Sequence, residues 1–198
     1  MLDTDAYMYD ASVNALRHSD TANVDFDIYD ADKGVNRSER DVRKKVMTHL
    51  VVSGETNLAS GLGLVSVVID IERIGDYTKN IYDLAVHHPL RLKGGPVEEK
   101  LQNVEALVTS DFKSMIEVFK DRDEDKARLI MNNYKEGLSD ACEEISNSIL
   151  SGAVTGLNSS DATAVSLYAR FLKRIASHSR NIVTSVVNPF HRIGYREK

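Results

Sequence analysis

The chain has 198 residues, with 25 basic and 30 acidic side chains and a net charge of −5, which excludes a duplex-binding surface built on a clustered Lys/Arg excess. Hydrophobic residues at 42 % and charged residues at 28 % exclude a disordered chain. A chain of this length buries about 70 % of its unfolded surface and needs no staple to fold, and its one cysteine, Cys142, allows neither an internal disulfide nor a thiolate zinc cage.

The opening MLDTDAYMYDAS carries neither the basic start nor the apolar stretch of a signal peptide. The longest strongly apolar run, GLGLVSVVI, is too short to span a membrane, and a soluble cytoplasmic protein is expected. The first predicted helix covers residues 5–18. The second covers residues 22–52, where Val24, Ile28, Ala31, Val35, Val42, Val46 and Leu50 recur at three- and four-residue steps. Ser53 and Gly54 end it, and a third helix runs over residues 58–87. Its LVSVVID stretch is rich in β-branched residues and would suit a buried strand. The pattern nevertheless continues through IERIGDYTKNIYDLA without a turn signal, far beyond ordinary strand length. The adjacent His87 and His88 at its end read as surface residues favoured by the helix C-terminus.

Pro89, Gly94, Gly95 and Pro96 then mark a linker, placed at residues 91–97 between a first unit, 1–90, and a second, 98–198. Three more helices are predicted at residues 98–119, 125–150 and 161–187, the last capped by Ser159, Ser160 and Asp161. An internal repeat joins the halves. IERIGDYTKNI at 71–81 aligns with LKRIASHSRNI at 172–182, an offset of 101 residues. Arg73/Arg174, Ile74/Ile175, Asn80/Asn181 and Ile81/Ile182 are identical. The predicted fold is all-α: two tandem three-helix bundles, six helices in all.

On the third helix, Leu58, Leu62, Val65 and Ile69 form a stripe that continues as Glu72, Asp76, Asn80 and Asp83, so one face turns from apolar to acidic. Two readings stay open from the residues alone. The acids form a solvated face softened by Lys79, or they meet acids of the second helix. Asp25, Asp32 and Glu39 share a face there, with Asn36 one turn beyond Asp32. Antiparallel packing would bring Asp32, Asn36, Glu72 and Asp76 together in an oxygen-rich cluster suited to Mg, Mn or Fe. None of the histidines has a glutamate three positions before it, so the Glu-x-x-His signature of di-iron bundles is missing. GLGLVS lacks the last glycine and the preceding strand of a dinucleotide fingerprint.

The string DIERIGDYTKNI, preceded by a helix carrying DADKGVNRSERDV, resembles the PhoU family of phosphate-signalling regulators, and the resemblance covers essentially the whole chain. It implies two three-helix bundles, each with an E/D-x-x-x-D motif on two helices that in some members hold multinuclear metal clusters. Matched residue by residue, Glu72 and Asp76 keep the strong motif of the first unit, and Asp32–Asn36 stands for its partner with an amide in place of one acid. In the second unit Glu136 and Asp140 match the partner motif, while Lys173 and Ser177 replace the strong one. The first site is therefore expected to take a divalent or iron-type metal ion and the second to be a remnant, with Lys173 positioned to pair with Glu136. By the same resemblance the chain would be a non-enzymatic regulator of phosphate homeostasis. Its expected partners are a phosphate transporter and a sensor histidine kinase; it would be a homodimer, reach membranes only through protein partners and bind no nucleic acid. The alternative from the acids alone is a carboxylate-bridged metal enzyme or a metal-storage bundle.

Overall fold

The helix boundaries follow local capping chemistry in a computed structural model that describes residues 1–197, the side chain of Glu136 lying outside the described set. The helices are α1 (Leu2–Arg17), α2 (Ile28–Ser53), α3 (Leu58–His87), α4 (Glu98–Asp121), α5 (Glu124–Asn133), α6 (Ser139–Leu150) and α7 (Ser159–Val187), with no strand among the described residues. The Asp27 carboxylate accepts from the Asp30 amide at 3.0 Å and starts α2. That helix therefore begins six residues later than its apolar spacing predicts, and Val24 lies on the incoming loop. Asn158 caps α7 by accepting from the Asp161 amide at 2.9 Å, so the cap sits one residue before the Ser-Ser-Asp cluster. The β-branched stretch of α3 is helical throughout, continuous from Leu58 to His87.

One predicted helix is interrupted. Between α5 and α6 the chain makes a π-helical turn over Tyr134–Leu138, in which Gly137 holds φ +135°, a region closed to residues with a Cβ. Counting α5, this turn and α6 as one rod gives the six expected helical rods. His88 corrects another reading. Its side chain is only 5 % exposed, and its Nε2 lies 2.9 Å from Asp161 Oδ1, tying the end of α3 to the start of α7.

The two third helices, α3 and α7, pack against each other antiparallel at the centre of the molecule, and α1 and α4 pair alongside them. α2 flanks α3, while α5 and α6 flank α7. The halves share one continuous hydrophobic core, running from Leu2, Tyr9 and Leu16 through Ile74 and Ile81 to Phe112, Met115, Tyr168 and Val183. Each large apolar side chain fully buried there contributes about 1.5–3 kcal/mol of transfer free energy.

Two features fix the halves against one another. Arg17, buried at the end of α1, donates from Nε to Glu105 at 2.9 Å, pairs with Glu98 at 2.5 Å and reaches the Leu92 carbonyl. One side chain thus ties α1, the linker and α4 together. The α3–α7 contact has unlike ends. At one, Tyr77 meets Phe171, with ring centroids 6.1 Å apart. At the other, His178 Nδ1 lies 2.7 Å from Asp70, to which Asn181 also donates at 3.2 Å. The 101-residue repeat maps Asp70 onto Phe171 and Tyr77 onto His178. The same two positions therefore carry an aromatic pair at one end and a polar pair at the other. His178 also stacks on Tyr77, 5.8 Å between centroids, and so both packs and hydrogen-bonds at this contact.

Candidate functional site

The acids singled out in the first unit sit where α1, α2 and α3 face one another. α2 and α3 run antiparallel, as Tyr29 shows by donating to Asp83 at 2.6 Å and Lys79 by reaching Asp32. Asp32 is buried on α2 because it follows Ile28 by one turn and precedes Val35 by three residues, on the face that meets α3. Antiparallel packing then brings Asp32 opposite the Asp76–Lys79 turn.

Lys79 takes the centre. Its ammonium donates to Asp32 Oδ2 at 2.9 Å and to Asp76 Oδ1 at 3.3 Å, supplying the positive charge that the acids require. Arg73 holds the other Asp76 oxygen at 3.1 Å and lies 3.6 Å from Glu72. Asn36 turns its amide nitrogen toward Asp32, 3.0 Å from the carbonyl and 3.3 Å from Oδ2, and acts as a donor to the cluster. Glu72 is half-buried, and desolvation, then Asp76, raises its pKa above the ordinary carboxylate range, with Glu39 and Asp32 adding to the rise and Arg73 opposing it. Of the four predicted residues, Asp32 and Asp76 are joined through Lys79, Asn36 is bound to Asp32, and Glu72 interacts with them through the field alone. Among the described residues no three His, Cys, Asp or Glu side chains are arranged to hold a metal ion.

A further acid belongs to this place and was not singled out by motif. Asp5, from α1, is 0 % exposed, and neither of its carboxylate oxygens has a hydrogen-bond partner. Burial pushes its pKa well above the usual value, and the charges of Asp32 and Glu72 push it further, against a lowering by the amino terminus. It approaches α3 where that helix has no side chain: a Cβ on Gly75 would lie 2.9 Å from Asp5 Oδ1. The remaining Asp32 oxygen, Oδ1, is likewise buried without a partner. A signal for Asp5 was present, since it falls on the stripe Leu2, Asp5, Met8, Tyr9, Ser12, Val13, Leu16 that α1 buries. Read together with the lone Gly75 of the ERIGD string, a polar residue on an otherwise buried stripe marks a helix–helix contact.

Among its described residues the second unit has no such cluster. Lys173, which replaces Glu72, pairs with Glu143 on α6, while the expected partner, the Glu136 side chain, lies outside the described residues. Asp140 is exposed at the start of α6, and Ser177 is half-buried on α7. The nearest counterpart to Asp5 is Asp111 on α4, buried and desolvated to a raised pKa, with one oxygen accepting from Asn133 at 2.9 Å and the other unpartnered.

Away from the acids, large apolar side chains are exposed around one hairpin tip. Met47, Val51 and Val52 at the end of α2 are 64 %, 82 % and 84 % exposed. Leu58, Leu62 and Leu64 at the start of α3 continue the same end of the hairpin. No helix among the described residues is long and apolar enough to cross a membrane.

Comparison with known proteins places this architecture. The PhoU domain model matches the chain twice, over residues 1–85 and 101–186. The crystal structure of PhoU from Pseudomonas aeruginosa superposes with a TM-score of 0.79 at 19 % identity, covering 94 % of this chain and 90 % of that one. The crystal structure of the phosphate transport system regulatory protein PhoU from Streptococcus pneumoniae superposes with a TM-score of 0.71 at 16 % identity, covering 94 % and 89 %. No curated protein sequence matches the chain.

Proposed function

The chain belongs to the PhoU-domain family, and from that premise we propose that it is a non-enzymatic regulator of phosphate homeostasis that works by docking on other proteins. The observation that carries this reading is the match of the PhoU domain over both halves of a chain whose longest hairpin presents bare Met47, Val51 and Val52 to solvent. Exposed apolar groups gathered at one end of a hairpin are the kind of surface that protein partners cover. A phosphate transporter and a sensor histidine kinase are the partners we propose, reached from the cytoplasmic side, with the chain acting as a homodimer. The units at 1–90 and 98–198 would act as one body, since they share a core.

We further propose that the first-unit cluster accepts a divalent or iron-type cation in exchange for the Lys79 ammonium. The donor chemistry supports this: the unpartnered oxygens of Asp5 and Asp32, with Glu72 and Asp76, are hard carboxylate ligands. A bound cation would supply the charge that lets carboxylates from three helices ionise together, stiffening the unit behind its docking hairpin. Asn36 lowers the charge available and weakens the site.

Deletion of the gene in its own host tests the regulatory reading. Phosphate uptake and phosphate-responsive expression should both change; if neither does, the reading is wrong. Metal content by mass spectrometry on untagged protein, beside a Glu72→Ala/Asp76→Ala variant of equal helicity, tests the cation. About one equivalent in the parent and none in the variant is expected; no metal in either would leave Lys79 as the permanent occupant. A carboxylate-bridged enzyme or a storage bundle would instead show redox turnover or several retained equivalents.

A further inference from the structure

The repeat has reversed the charge of its second copy. At the 101-residue offset Glu72, Asp76 and Lys79 of α3 become Lys173, Ser177 and Arg180 of α7. Beside this face lies a cavity of about 560 Å³, in the size range of small-molecule sites. Its lining includes Tyr134 and Lys135 from the π-helical turn, Asp140 from α6, Arg180 from α7 and Arg196 from the C-terminal segment. Turns of this type interrupt helices often where a ligand binds, and here it delivers two of the lining side chains.

The cations of the cavity differ in how they are engaged. Arg128 is neutralised by Glu197 at 2.8 Å and by Glu124 and Asp125. Lys135, Arg180 and Arg196 have no ion-pair partner among the described residues, and Arg180 lies over the Tyr134 ring, 5.5 Å from its centroid. Three cations from three separate elements therefore surround one cavity in a protein whose net charge is −5. Two acids, Asp140 and Glu197, also line the cavity, but Glu197 is engaged by Arg128 and Asp140 pairs with none of the three cations, whereas a cation that only holds helices together is matched by an acid as Lys173 is by Glu143.

We propose that this cavity binds a phosphate monoester or free phosphate. A dianion with three equivalent oxygens can be shared among several cations, and the Arg180 guanidinium presents paired N–H groups matched to phosphate. Asp140 adds a hydrogen-bond acceptor for a ligand hydroxyl, which suits either a protonated phosphate oxygen or the sugar of a phosphorylated metabolite. The second unit thus holds an anion where the first holds a cation.

The test is calorimetric titration of the full chain with inorganic phosphate, AMP and adenosine at about 150 mM salt, where long-range attraction is screened. Saturable binding of phosphate or AMP, with none of adenosine, is expected. AMP binding at least about tenfold tighter than phosphate assigns the cavity to the ester, and equal binding assigns it to the free anion. Arg180→Gln and Arg196→Gln should each weaken binding about tenfold, the loss expected for one charge-assisted hydrogen bond. Arg196 lies on the exposed C-terminal segment, so its variant folds whether or not Arg180→Gln does. No saturable binding by either anion, binding that vanishes at this salt, or variants that bind like the parent would overturn the proposal.

Discussion

Replacing Asp5 by Asn should stabilise the protein near neutral pH, because it keeps the shape of the side chain and removes a charge that burial opposes. Both oxygens of Asp5 lack partners, and the nearby acids Asp32 and Glu72 disfavour its ionised form. The amide is a buried polar group too, so the substitution removes only the extra cost of burying a charge, about 1–3 kcal/mol. For a chain of this size each kcal/mol moves the melting point by about 2–4 °C, so the expected gain is about 2–12 °C. The sign with pH is fixed by linkage. The folded-state pKa of Asp5 is raised, so the folded state holds this proton more tightly than the unfolded state does. The parent's stability therefore falls as pH rises from about 4, the unfolded carboxylate value, through the folded pKa, and levels off above it. The Asp5→Asn variant has no such slope from this position, because an amide does not titrate in this range. Thermal melts of both proteins in EDTA, from pH 4 to pH 8, should nearly coincide at the acid end and separate as pH rises. A variant that melts at or below the parent at pH 8 would refute the reasoning and show that the Asp5 carboxylate has a favourable partner.

Gly75→Ala should destabilise the fold by up to about 2 kcal/mol, since overpacking of about 1–3 kcal/mol against Asp5 outweighs a helix-propensity gain of about 1 kcal/mol. The penalty should vanish in an Asp5→Ala background, and a double-mutant cycle from urea melts measures the coupling. Arg17→Met should cost about 3–5 kcal/mol in the same assay, as it strands Glu98 and Glu105 beside a buried stem; a loss below about 1 kcal/mol would show that the clamp is not structural. Val51→Asp/Val52→Asp should leave stability within about 0.5 kcal/mol and abolish capture of the proposed partner, a phosphate transporter. Burial pushes the Cys142 thiol up to about 12, so alkylation by iodoacetamide at pH 8 should track opening of the α6–α7 contact, and fast labelling of the native protein would contradict its burial.

The fold was legible from periodicity, capping residues and the repeat because most of the core lies on long helices whose apolar stripes face it. α3 illustrates this: the expected and observed spans coincide at residues 58–87. Errors arose where a local event overrode periodicity. The Asp27 cap cut six residues from a well-patterned helix, and the π turn gave no warning beyond Gly137. The acidic cluster was half legible. Spacing put Asp32 and Asp76 on facing stripes, but only the packed register shows that Lys79, seven residues after Glu72, spans the gap between helices. Asp5 escaped notice because a motif search follows acids in pairs, whereas its distinction is solitude on an apolar stripe.

The unlike ends of the α3–α7 contact decide which copies of the repeat can pair. If two first units met through this face, Asp70 of each would lie against Tyr77 of the other; Asn80 would stand in for Asn181, but the acid would lose His178. Two second units would set His178 against Phe171 twice, with no carboxylate to receive the imidazole. Only the mixed pair gives every member a suitable neighbour, so the face no longer recognises itself. Joining both halves in one chain supplies each with the unlike face it needs, and neither half expressed by itself would find a matching partner in its own copy.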